Sequence, residues 1–344
     1  MRLLVLFVTA LLFLVACDDE KVIDETKDTW RVLATSNIPS PRLLVMELPS
    51  GKILDDGVYE KANGNALSSL PRVMADFGGF IFLIKPDDAQ IEVIDKNTYL
   101  SKYKIDFDAG RRPLHIAFAP NATAAYVIFE QDSIVDVIDL TVMQVARQIT
   151  LNGIASSIAL KGNQVLVTCP EINKLAVIDT RNNELTNEVN VPDVPLLVTY
   201  TKDGLRIVVV SAGKGKLDTL TEQTDAYVTL LDANTYDEIA KQPLGVGVVN
   251  PKEQLPLTLS TASRLYAYIG TQKYLLQFNT RTATLPARLQ DGKFISSVYN
   301  DRREEMIFIR DDGVKRQILT YLPEEKKYNL NQALPEGVLN ILPL

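Results

Sequence analysis

Few residues in this sequence could carry chemistry. Its 344 residues include one histidine, two cysteines, 36 basic and 43 acidic side chains. The lone His115 excludes a multi-histidine metal site and leaves any Ser-His-Asp arrangement hanging on one position. No Gly-x-Ser-x-Gly elbow and no Cys-x-x-Cys pair occurs, and Gly213-Lys-Gly-Lys216 lacks the spacing of a phosphate-binding loop. Two sets of charged residues remain as candidate ligand contacts. Arg111 and Arg112 adjoin a strand start, and Arg42 and Arg72 fall at comparable places upstream. Guanidinium groups there could hold an anion through paired hydrogen bonds, or could be solvated surface side chains. Asp218, Glu222 and Asp225 offer carboxylates in a long polar segment, 212–226, but their spacing matches no Ca²⁺ loop. No catalytic residue, cofactor or metal ligand is assigned. His115 lies between Leu114 and Ile116 in an expected strand, where it either faces a channel or packs in the fold.

The first residues are organised for export. Arg2 precedes an apolar run from Leu3 to Val15, too short for a membrane span of about 20 residues but suited to a signal peptide. Leu14-Val15-Ala16-Cys17 follows and resembles the bacterial lipobox, in which the cysteine is acylated after cleavage before it. The expected organisation is therefore a lipoprotein signal peptide at 1–16, then a lipidated Cys17 and polar tether at 17–28. Residues 29–344 form the folded domain. Acyl chains would anchor the protein in a lipid bilayer, at about 0.8 kcal/mol per buried methylene. Asp18-Asp19-Glu20 resembles the signal that sends lipoproteins of the Bacteroidota to the outer face of the outer membrane, and in other bacteria Asp after the Cys resembles a retention signal. Loss of Arg2 with the leader leaves 35 basic and 43 acidic side chains, a net charge of −8 that argues against nucleic acid as a partner. With Cys17 acylated, Cys169 has no disulfide partner, and its apolar setting in Val165-Leu-Val-Thr-Cys169 reads as buried and inert.

These residues must be positioned by a repeat. An apolar strand ending in an acidic or polar residue, then a turn, then a second strand, recurs at Glu47, Asp95, Asp139, Asp179, Asp232, Asn279 and, most degenerately, Tyr321. A period near 45 residues with strand-rich content predicts the four-stranded blades of a propeller, here seven. The Asp and Asn at these turns suit tight reversals and are assigned structural roles. Trp30–Thr35 reads as the second strand of a blade whose first strand is missing. Residues 335–344 read as a surplus first strand. The fold expected is all-β: a seven-bladed β-propeller whose ring is closed by the C-terminal strand joining the N-terminal blade, removing two sticky edges. The long B–C segment 212–226 and the D–A segment 245–254 of one blade should rise from the same rim.

The Val-Ile-Asp-Thr-Arg-Asn copies resemble the YVTN-type repeat of YncE-like propellers across residues 29–344. Residues 58–98, with Ala62-Asn-Gly-Asn-Ala-Leu, Gly78-Gly79 and Ile91-Glu-Val-Ile-Asp-Lys-Asn-Thr98, resemble a subgroup of Bacteroidota surface lipoproteins. That subgroup includes a propeller that captures vitamin B12 for a TonB-dependent transporter. The resemblance implies a surface-exposed protein of the cell outer membrane, binding a small-molecule nutrient such as a cobalamin-like ligand for a transporter partner. Ser36-Asn-Ile-Pro-Ser-Pro41 replaces the subgroup's Asn-Glu-Gly-type turn, and no binding residue carries over by motif. A protein–protein scaffold of the cell envelope and a lactonase-like enzyme are the alternative readings.

Overall fold

The structure is a computed structural model that describes residues 29–214, 224–245, 258–262, 265–271 and 273–344. Within them, 28 strands form seven four-stranded sheets. Blade 3 shows the pattern: β8 (Pro113–Phe118), β9 (Ala124–Phe129), β10 (Ile134–Asp139) and β11 (Gln144–Thr150) pair in succession, all antiparallel. The two middle strands are packed on both faces, so they read as continuous apolar runs. The outermost β11 faces solvent and is mostly polar.

The recurring Asp and Asn do what their positions suggested. Asp139 Oδ1 accepts from the backbone N–H of Thr141 at 2.8 Å, and Asp232 Oδ1 from Asn234 and Thr235 at 2.8 and 3.0 Å. Asn279 Oδ1 accepts from Arg281 and Thr282, both at 2.9 Å. Each turn closes on a residue in the left-handed region, such as Met143, Tyr236 and Ala283, after which the C–D register shifts. This is a four-residue hairpin loop closed by a left-handed residue, followed by a bulge in the fourth strand. The backbone N–H bonds also hold these exposed carboxylates, Asp95 and Asp232 among them, below the ordinary carboxylate range.

Blade 1 is closed as expected. Its order is β28 (Val338–Pro343), β1 (Trp30–Ser36), β2 (Arg42–Leu48) and β3 (Ile53–Asp56). The register runs from Val32 opposite Pro343 to Ser36 opposite Val338, with a bulge at Thr35/Ser36. The apolar core lies in the seams between neighbouring blades. The seam between blades 2 and 3 gathers Phe82, Ile84, Val93, Val127, Phe129 and Ile138, with Phe77 and Phe118 stacked at 4.4 Å. The closing seam gathers Val32, Met46, Ile307, Ile309, Val338 and Ile341. Burying each such side chain contributes about 1.5–3 kcal/mol, so no seam can open without a large loss. Cys169 is fully buried in the seam between blades 3 and 4, where burial pushes its thiol up to about 12.

One element was not foreseen. The link from blade 1 to blade 2 contains a short helix, α1 (Val58–Asn63), whose Val58 and Tyr59 are buried. Asn63 ties it down, donating to the carbonyls of Tyr59 and Tyr99 at 2.8 and 3.0 Å and accepting from Ser101 N–H at 2.8 Å. Beneath it sits a buried ion pair, Lys85 Nζ to Glu92 Oε2 at 2.9 Å, both residues 1 % exposed. Burial works against the Glu92 carboxylate. Hydrogen bonds from Ser101, Lys85 and Tyr59 outweigh it and hold Glu92 below the ordinary range.

Candidate functional site

The innermost strands, β4 (Val73–Phe77), β8, β12 (Ser157–Lys161), β16 (Pro195–Tyr200), β20 (Thr258–Ala262), β24 (Lys293–Asn300) and β28, have no further strand on their inner side. Together they line an axial cavity of about 1320 Å³. Their polar groups stitch adjacent blades. Ser156 Oγ donates to the Leu196 carbonyl at 3.0 Å, Thr261 Oγ1 to that of Tyr200 at 3.0 Å, and Ser260 and Ser297 share a hydroxyl pair at 2.8 Å. Aliphatic side chains such as Leu114, Ile158, Leu197 and Val298 fill the wall between them. The lining is therefore amphipathic, as expected of a small-molecule pocket.

His115 lines this cavity. A bulge between Pro113 and His115 breaks the alternation of β8, and such bulges re-aim side chains. Leu114 packs into the seam with blade 4 and Ile116 into that with blade 2, leaving His115 between them on the cavity wall. Desolvation inside the ring, aided by the nearby Arg72 charge, lowers the imidazole from 6.5 to about 4. At neutral pH it is an uncharged imidazole, and no carboxylate among the described residues is hydrogen-bonded to it.

The four candidate arginines separate into two groups. Arg72 and Arg112 lie at the cavity mouth with His115. They share Glu130: Arg72 Nη1 contacts one carboxylate oxygen, and Arg112 Nε donates to the other at 2.7 Å. Arg112 Nη1 also meets Asp87 at 2.7 Å. Arg111 turns away from the mouth. It is fixed on Asp136 by two bonds of 2.7 and 3.1 Å and on Asp132 at 2.9 Å, and lies over the Phe129 ring at 3.8 Å. Arg42 pairs with Asp56 at 3.0 Å across the outer strands of blade 1 and does not line the cavity. All four guanidinium groups are thus already matched by carboxylates of the chain. Sequence reasoning missed Glu130 and Asp87. Each lies just after strand B, so strand direction alone could have placed both on the rim of the D–A and B–C connections.

Of the loop candidates, Asp218 and Glu222 lie outside the described residues, as do Cys17 and most of 212–226 and 246–254. Asp225 is described, at the foot of the loop. There Thr224 Oγ1 accepts from Lys214 N–H at 2.7 Å and donates to Asp193 Oδ2 at 3.2 Å, while Asn173 donates to Asp193 Oδ1 at 3.0 Å. Ala226 pairs with Gly245, which puts the start of the second long connection at the same rim. Among the described residues no group of three or more His, Cys, Asp or Glu side chains could hold a metal ion. No described helix is long and apolar enough to cross a membrane.

No protein-family model matches the sequence, and no curated protein matches it. Solved structures do share its fold. Hydrazine synthase from Kuenenia stuttgartiensis superposes with a TM-score of 0.62 at 13% identity, over 81% of this chain and 99% of that one. A Bacteroides uniformis protein provisionally assigned as a 6-phosphogluconolactonase gives a TM-score of 0.67 at 9% identity, over 92% of this chain and 100% of that one. Identities this low carry the fold and not the chemistry. With these neighbours and its own seven sheets, the chain is a seven-bladed β-propeller.

Proposed function

We propose that this chain is a lipid-anchored propeller of the cell surface that captures a small nutrient molecule at the mouth of its axial cavity and passes it to an outer-membrane transporter. The observation that carries the reading is the cavity itself, with a mixed hydroxyl and aliphatic wall and a rim whose arginines are internally compensated. A rigid, amphipathic, largely preformed pocket suits capture. Because Arg72 and Arg112 are already paired with Glu130 and Asp87, the preferred ligand is held by shape, hydroxyl groups and apolar contact rather than by multiple negative charges. The anchor and the transporter rest on Cys17 in its lipobox-like setting and on the resemblance of residues 58–98 to surface lipoproteins. A cobalamin-like molecule is the ligand that resemblance suggests.

The test is to purify the full chain from its own membrane in mild detergent and analyse the extract for small molecules by mass spectrometry. Ala117 lines the cavity and packs in none of the seams. The reading expects a near-stoichiometric small molecule with the wild type and none with Ala117→Trp. A stably bound envelope protein, retained equally by both forms with no small molecule, would establish the scaffold reading instead.

A further inference from the structure

The chain's only histidine stands in the wall of its largest cavity. We propose, resting on the capture reading above, that the nutrient held there is an organic metal chelate with one exchangeable axial position, and that the His115 imidazole fills that position.

The imidazole is free to do so. No hydrogen bond engages either ring nitrogen among the described residues, and neither nitrogen belongs to the buried polar atoms left without partners. Both therefore keep surface open to the cavity. A histidine with a purely structural role spends at least one nitrogen on a backbone or carboxylate partner. Leu114 and Ile116 anchor the strand in the two flanking seams, so the ring is presented from a rigid wall rather than from a loop. Desolvation keeps it uncharged at neutral pH, and neutral imidazole is the form that ligates metals.

The surroundings select against a bare ion. The nearest rim carboxylates, Glu130 and Asp87, are taken by Arg72 and Arg112. Among the described residues no three His, Cys, Asp or Glu side chains converge on one point. An aquated ion would meet one protein ligand, too few for a dedicated site. A metal that arrives with its other positions filled by an organic chelator needs only one, as a proximal histidine supplies to haem iron. The room is of the right order. At about 1320 Å³ the cavity exceeds the usual small-molecule pocket of about 300–1,000 Å³, and its aliphatic and hydroxyl wall suits a large organic framework. Binding is a ligand substitution. A nitrogen lone pair of His115 forms the bond to the metal as the bond to an axial water breaks. The water leaves into the cavity, and the metal's oxidation state is unchanged.

The probe is aquacobalamin, whose axial water exchanges, with cyanocobalamin, whose cyanide blocks that position, as its counterpart. Each is titrated into the detergent-solubilised full chain and followed by visible absorption and calorimetry. The wild type should bind aquacobalamin at least roughly tenfold more tightly. Its visible bands should move to those of aquacobalamin mixed with free imidazole, while those of cyanocobalamin stay unmoved. A folded His115→Gln should lose the band shift and bind the two forms equally. Ala117→Trp should bind neither. Equal binding of both forms by the wild type without a band shift overturns the proposal and leaves capture standing. A band shift that persists in His115→Gln also overturns it. Failure of the wild type to bind either form overturns both this proposal and capture of a cobalamin-like molecule.

Discussion

Asn340, in the last strand, donates its side-chain amide to the carbonyl oxygen of Arg72 at 2.9 Å, joining the closing strand of blade 1 to the inner strand of blade 2. The same residue's backbone N–H donates to Thr35 Oγ1 at 3.1 Å. Ring closure and cavity mouth thus meet at one place. Deleting residues 337–344 removes β28, exposes the edge of β1 and strips Val338 and Ile341 from the closing seam. The expected result is loss of a single cooperative thermal transition by circular dichroism, not a local loosening. Asn340→Ala keeps the strand and should cost about 1 kcal/mol, one net hydrogen bond. A truncated chain with unchanged melting behaviour would rule out this mode of closure.

His115 gives the fold a pH dependence of predictable sign. In the unfolded chain it takes up a proton near 6.5; in the ring it does so only near 4. Between those values the unfolded state binds more protons. Stability from this residue is therefore complete above pH 6.5 and declines as pH falls toward 4, by at most about 1.4 kcal/mol per unit. No other histidine exists to share the window. The lowered carboxylates, Asp88 and Glu92 among them, lose their contributions only at lower pH. Melting temperatures should fall between pH 6.5 and 5 in the wild type and stay nearly flat in His115→Gln. Equal slopes in the two proteins would contradict the assignment.

The buried pair under α1 should behave as a coupled unit. Lys85→Met leaves the Glu92 charge buried among Tyr59 and Ser101, and loss of one partner of a buried pair costs about 3–5 kcal/mol. The double change Lys85→Met, Glu92→Leu removes both charges and should be clearly more stable than Lys85→Met alone. Urea unfolding of the four forms measures this. Additive losses would show that the two groups are not coupled.

What was legible in the sequence was local. Asp95, Asp139, Asp179, Asp232 and Asn279 mark the C–D turns because one side chain bonding nearby backbone is a short-range event. Counting strands between these marks then exposed the missing first strand at Trp30 and the surplus one at Val338. The ion pairs of the charged rim were illegible for the opposite reason. Arg111 meets Asp136 only once blade 3 is in register, and Arg72 meets Glu130 only once blades 2 and 3 are side by side. Strand pattern likewise could not tell whether His115 faced the channel, since a one-residue bulge decides it. The six-residue α1 was missed because its stability comes from Asn63, Tyr59 and the Lys85–Glu92 pair rather than from helical periodicity.

The most direct test of nutrient capture is calorimetric titration of cobalamin into the detergent-solubilised full chain, in parallel with Ala117→Trp. The account predicts saturable heat with the wild type and none with the filled cavity. Silence in the wild type, or equal affinity in the two proteins, would contradict capture of a cobalamin-like molecule in the axial cavity.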